Sequence, residues 1–137
     1  MKALSLTQPW ASLVASGAKK VETRSWSTSY RGPLAIHAAK GFPRWARDFA
    51  EKIGLGRLLA SLPLGAIIAV VILVDVRRTE EIAPTLSALE LLYGDYSAGR
   101  WAWMLHDVKA LPQPIPYKGA LGLFNVILPT EGNYILD

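Results

Sequence analysis

At 137 residues, about half of them apolar, the chain suits a single domain, residues 1–137, large enough to bury a sizeable core. The absence of cysteine excludes disulfides and thiolate metal sites, and nothing ties the protein to an oxidising compartment. The net charge of +4 hides an uneven spread: residues 1–58 hold ten Lys or Arg against three acids, whereas residues 59–137 hold five against eight.

Residues 3–6 read as a short first strand, and Thr7-Gln8-Pro9 interrupts them before a signal peptide's apolar run could form. The cytoplasm is therefore the default location. Pro9 to Ser16 reads as a short helix, with Thr7 placed to cap it and Gly17 suited to the left-handed residue just past its end. The chain then turns into a strand over residues 20–24. Alternation there puts Glu22 and Arg24 on one face, about 6 to 7 Å apart, with Val21 and Thr23 on the other and Lys19 at the strand's mouth.

Ser25 to Gly32 is a polar loop carrying Trp26, Tyr30 and Arg31, and Pro33 to Ala38 returns to a strand with Leu34 and Ile36 opposite Ala35 and His37. Trp45, Phe49 and Ile53, spaced by four among charged residues, describe an amphipathic helix starting near Pro43. Leu58 to Leu62 reads as a further helical turn. Ala66 to Val74 is the longest apolar run, far short of the roughly 20 residues a membrane helix needs. Its β-branched, non-alternating content reads as a strand covered on both faces.

Thr79 to Tyr93 reads as a helix burying Ile82, Leu86, Leu89 and Leu92 or Tyr93, broken early by Pro84 and ended at Gly94. Trp101 to Leu105 and Ala120 to Leu128 read as strands. They are joined by Pro112-x-Pro114-x-Pro116, which proline bars from a central sheet position. There is no internal repeat. Five or six short strands with inserted helices describe an α+β fold, a closed or nearly closed small barrel.

The densest chemistry lies in Gly17-Ala18-Lys19-Lys20-Val21-Glu22-Thr23-Arg24. Taken alone, Glu22 and Arg24 read as an exposed ion pair worth about 0 to 1 kcal/mol. The spacing Gly17-x-Lys19-x-x-Glu22-x-Arg24, however, resembles the signature of the ASCH (activating signal cointegrator homology) domain, in the PUA-like superfamily. Leu4-Ser5-Leu6-x-Gln8-Pro9-Trp10-Ala11, Arg31-Gly32-Pro33-Leu34-x-Ile36-His37-Ala38, Pro114-Ile115-Pro116-Tyr117-Lys118-Gly119 and Leu121-Gly122-Leu123-Phe124 resemble the same family in order, and together they span most of the chain. The resemblance implies a PUA-like pseudo-barrel of five or six strands with two or three inserted helices, and RNA as the ligand.

No cofactor is expected, and no metal, since His37 and His106 are the only histidines and neither has a ligand partner at metal spacing. His37 is expected to be a hydrogen-bonded barrel residue. Trp45, Trp101 and Trp103 lie in apolar periodic patterns and are assigned to the core. Trp10 and Trp26 flank the charged octet and are candidates for base stacking, worth about 1 to 3 kcal/mol, with core packing an equal alternative for one of them. The basic first 58 residues read equally as the footprint of a polyanion or as a solvated face.

Three functions fit these features. The leading one is an RNA-binding module, with Lys19, Arg24, Arg31 and Lys40 on phosphate, Glu22 accepting from a base or ribose, Gln8 reading a base edge, and Trp10 and Trp26 stacking. The second is a hydrolase of RNA or a modified nucleoside, because the resemblance extends to ribonucleases and to amidohydrolases of acetylated cytidine. Lys19 would then be nucleophile or base and Glu22 the proton shuttle, although the amidohydrolase pattern has threonine at the position of Glu22. The third is a module that binds an acidic peptide or nucleotide in the same cleft.

Overall fold

The apolar run at the centre of the chain becomes the spine of one six-stranded sheet. The structure, a computed structural model, describes residues 1–129. In chain order it runs β1 (Lys2–Leu6), α1 (Trp10–Ala15), β2 (Val21–Arg24), β3 (Gly32–Ala38), α2 (Arg44–Lys52) and a 3₁₀ turn at Gly56–Ser61. It continues with β4 (Ala66–Arg78), α3 (Thr79–Ile82), a 3₁₀ turn at Ala83–Thr85, α4 (Ala88–Leu92), β5 (Trp101–Pro116) and β6 (Leu123–Asn125).

The strand order is β2-β5-β4-β3-β1-β6, with β1 and β3 parallel and every other pair antiparallel. Both faces of β4 are covered, as its unbroken apolar run requires. Ile68, Val71 and Leu73 pack with Leu4, Leu6, Leu34, Ile36 and Trp103 beneath Ala11 and Val14 of α1. Ile67 and Val70 pack on the opposite side with Ala3, Ala35, Leu111, Val126 and Leu128.

The β4–β5 ladder slips register at three places, and Asp107 takes a left-handed φ of 50°. Such bulges bend a strand and add twist, and the sheet curls into a half-barrel whose outer strands β2 and β6 do not pair with each other. The α+β, PUA-like expectation holds, in this half-barrel form rather than a closed one.

Four local expectations are corrected. The helix over residues 79–93 is broken into three short pieces, because Pro84 lacks the N–H a continuous helix needs and Ser87 opens a fresh helix by accepting the Glu90 N–H (3.2 Å). Leu89 and Leu92 face outward; Tyr93, the expected alternative to Leu92, is buried, and Glu90 is buried beside it. The strand at Trp101 runs on through the prolines to Pro116, whereas the expected strand over 120–128 contracts to Leu123–Asn125. Finally, α1 begins behind Pro9, and it is the Gln8 side chain, not Thr7, that accepts the Ser12 N–H (3.0 Å).

Candidate functional site

Gly17, at a φ of +83°, ends α1 and reverses the chain, after which the Lys19 N–H bonds the Leu13 carbonyl (3.0 Å) and the side chain is carried inward. Lys19 is 2% exposed. Its ammonium donates to Glu22 Oε1 (2.8 Å) and to the Val21 carbonyl. Alternation along β2 sets Glu22 beside Arg24, whose Nε donates to Glu22 Oε2 (3.0 Å) and whose Nη2 donates to the Ser5 carbonyl of β1 (2.8 Å). The carboxylate thus bridges two cations and ties the octet to the first strand. Burial pushes the Glu22 carboxyl up, but the charges of Lys19 and Arg24 and the hydrogen bonds they donate outweigh it, so its pKa is held below the ordinary value.

Glu22 and Arg24 open into a cleft of about 630 Å³, within the range of small-molecule sites. Its walls include Ser5, Thr23, Tyr93, Asp95 and Arg100, together with Trp10, Trp26 and Trp45. Thr23 and Arg100 fasten the far wall: Thr23 Oγ1 accepts the Asp95 N–H (3.2 Å), and Arg100 donates to the Thr23 carbonyl (3.3 Å) and the Asp95 carbonyl (3.1 Å).

The assignment of Trp45 to the core is overturned. α2 buries its alanines, Ala46 and Ala50, which rotates Trp45 onto the flank, 63% exposed and on the cleft wall. Helical spacing identifies a shared stripe but not which flank of it meets the neighbouring element. Trp10 is largely occupied, stacked on Phe49 (5.0 Å, 13°) and flanked by Trp45 (5.6 Å, 38°). Trp26 meets Trp103 edge to face (4.9 Å, 84°) and accepts its indole N–H at the carbonyl (3.3 Å). Trp103 is fully buried, as expected, and Trp101 sits at the margin of the core under the Arg78 guanidinium (4.3 Å).

The other candidates are dispersed. Gln8 is fully buried, and its amide is spent inside the chain, donating to Ser12 Oγ (2.7 Å) and the Pro63 carbonyl (2.9 Å). It therefore does not reach the cleft to read a base edge. Arg31 is exposed and bonds the carbonyls of Thr28 and Tyr30 (2.9 and 2.8 Å), away from the cleft wall. Lys40 is exposed and does not line the cleft; its neighbour Ala39 donates its N–H to the carbonyl of the buried Leu6 (2.8 Å).

His37 is buried and hydrogen-bonded, as expected. Its Nε2 donates to the Tyr117 carbonyl (2.7 Å), so Nδ1 accepts from the Ser5 hydroxyl (2.9 Å). The wall residues Asp95, Arg100 and Tyr93 carried no signal in the sequence, because they reach the cleft only through the fold. Among the described residues no cluster of His, Cys, Asp or Glu is arranged to hold a metal, and no helix is long and apolar enough to cross a membrane.

Comparison with known proteins bears on the family and the fold. Activating signal cointegrator 1 of Mus musculus is 40% identical over 80 residues and that of Homo sapiens 39%. Each match covers 53% of this chain and 14% of the relative's length, so the chain spans a small part of those proteins. The crystal structure of the ASCH protein of Zymomonas mobilis aligns with a TM-score of 0.58 at 18% identity, covering 92% of this chain and 87% of that one. A point mutant of the same protein aligns with the same TM-score at 17% identity, covering 92% and 89%. At that identity the likeness shows a shared fold. The family model described as the ASCH domain matches residues 4–115, and the chain belongs to the ASCH domain family.

Proposed function

We propose that the protein is an RNA-binding module that holds a single-stranded segment at the cleft beside Glu22 and Arg24. The observation that carries this reading is the meeting of a fixed carboxylate–guanidinium pair with exposed indole surface, on the half of the chain that holds most of its basic residues. Single-stranded RNA is commonly recognised through such aromatic platforms combined with hydrogen bonds to base edges. Trp26 and Trp45 stack on bases, while Lys40 and other exposed cations meet phosphate. In this reading Lys19, enclosed and bonded to two acceptors, serves to hold Glu22 rather than to touch the ligand.

That same enclosure supports binding over hydrolysis. A nucleophilic or basic lysine must lose its proton and reach the substrate, and Lys19 is held away from the cleft by Glu22 and the Val21 carbonyl.

Titration against single-stranded RNA, duplex RNA and DNA at two salt concentrations tests the proposal. Single-stranded RNA is expected to bind best, with an affinity that falls steeply with salt. Equal preference for duplex DNA, or no binding at all, would overturn it, and product analysis showing turnover of RNA or acetylated cytidine above background would favour the hydrolase.

A further inference from the structure

A second cavity lies on the far side of the charged octet. It encloses about 250 Å³, less than half the volume of the cleft, and shares no lining residue with it. Its floor is formed by Val14 of α1, Val71 of β4 and Leu105 of β5, all buried in the core. Its walls are the turn that carries Gly17, Lys19 and Lys20, and residues 106–108 of β5.

A backbone irregularity shapes the β5 wall. The β4–β5 register passes from Val70↔Lys109 to Ile72↔His106, so Asp107 and Val108 stand opposite the single Val71. Asp107 holds this bulge at a φ of 50°, a left-handed conformation uncommon outside glycine. Bulges re-aim side chains, and three successive residues, His106, Asp107 and Val108, line one cavity where a regular strand would turn alternate side chains away.

The rim adds one charge of each sign. Lys20 and Asp107 are exposed, and neither side chain enters an ion pair among the described residues. Lys19 also lines the cavity, but its ammonium is spent on Glu22 and the Val21 carbonyl. An apolar recess with an ammonium and a carboxylate at its mouth complements a small zwitterion that carries an apolar group.

We propose that this cavity is a second binding site, which takes an α-amino acid with an apolar side chain of the size of leucine. The side chain enters the recess over Val14, Val71 and Leu105, the ligand's carboxylate meets Lys20, and its ammonium meets Asp107. The proposal is independent of what occupies the cleft.

Amide NMR titration of the whole chain tests it, with leucine, glycine, 4-methylpentanoate and 3-methylbutylamine as separate ligands. Glycine keeps both charges without the side chain, and the last two keep leucine's hydrocarbon with one charge each. Leucine is expected to shift the amides of residues 17–20 and 105–108 saturably, with a dissociation constant on the order of millimolar. The other three ligands should bind about tenfold more weakly or not at all.

Lys20→Gln and Asp107→Asn are each expected to weaken leucine binding by about tenfold. Asparagine tolerates the left-handed φ, so the bulge is retained, and amide spectra unchanged away from the cavity check the fold of both variants. No saturable shift at tens of millimolar leucine, or shifts centred on residues 22–26 and 93–100 of the cleft, would overturn the proposal. So would equal affinity for leucine, 4-methylpentanoate and 3-methylbutylamine, or variants that bind leucine as the wild type does.

Discussion

At the scale of single residues, Glu22 does the most work. Among the described residues its carboxylate alone pairs with the buried Lys19 ammonium and the cleft-facing Arg24 guanidinium at once. A carboxylate whose pKa is depressed in the native state adds stability that is present above its ordinary value of 4.5 and is lost as the pH falls through its native value. Urea denaturation of the wild type is therefore expected to show a stability loss below that ordinary range which Glu22→Gln lacks. Glu22→Gln should already be less stable at neutral pH, by about 3 to 5 kcal/mol, because it strips the partner from a buried ammonium. A wild type and a variant with parallel pH profiles would show that Glu22 is not ionically engaged in the native protein. That Lys19 and Glu22 would pair is suggested by their spacing. That Lys19 would be enclosed is not, because its burial depends on the covering elements.

Among the elements, the stretch from α4 to the start of β5 departs most from its sequence pattern. Its leucines promised an inward stripe, yet Leu89 and Leu92 face outward, and attachment depends on Glu90, which accepts the Lys20 N–H (3.0 Å), and on Tyr93. From there Gly94 leads into the wall that carries Asp95 and Arg100. An added Cβ at Gly94 would lie 2.8 Å from the Tyr96 ring and 3.4 Å from Thr23. Gly94→Ala should thus cost about 1 to 3 kcal/mol through overpacking, read as a lower denaturation midpoint with an unchanged m-value. The neighbouring Tyr96→Ala, introduced together with it, should recover part of the loss, since residues in contact couple. If Gly94→Ala matches the wild type, the close approach of the Tyr96 ring to Gly94 is not a constraint on the wall.

For the whole molecule, the open half-barrel leaves strand edges to be protected. The Tyr117 N–H bonds the Gly65 carbonyl on the β4 side (3.0 Å), so alternation along the end of β5 turns Pro114 and Pro116 toward its other edge, which has no strand partner among the described residues and where they offer no donors. Pro114→Thr should add an unpaired N–H there and raise concentration-dependent self-association, measurable by light scattering. Scattering no greater than that of the wild type would mean that the prolines do not guard the edge.

The elements that were legible in the sequence are those set by local chemistry: the glycine stop of α1, the alternation that pairs Glu22 with Arg24, the apolar spine of β4, and the edge role of the prolines. Each depends on backbone preference or on the strand's two-residue period, which act within a few residues. Only tertiary structure decided that Lys19 and Gln8 would lie behind the wall, that Trp45 would face the cleft, and that Asp95 and Arg100 would complete it. These depend on how α2 and the 94–100 segment are laid over the sheet. That docking is fixed by packing between residues far apart in the chain, and no local period encodes it.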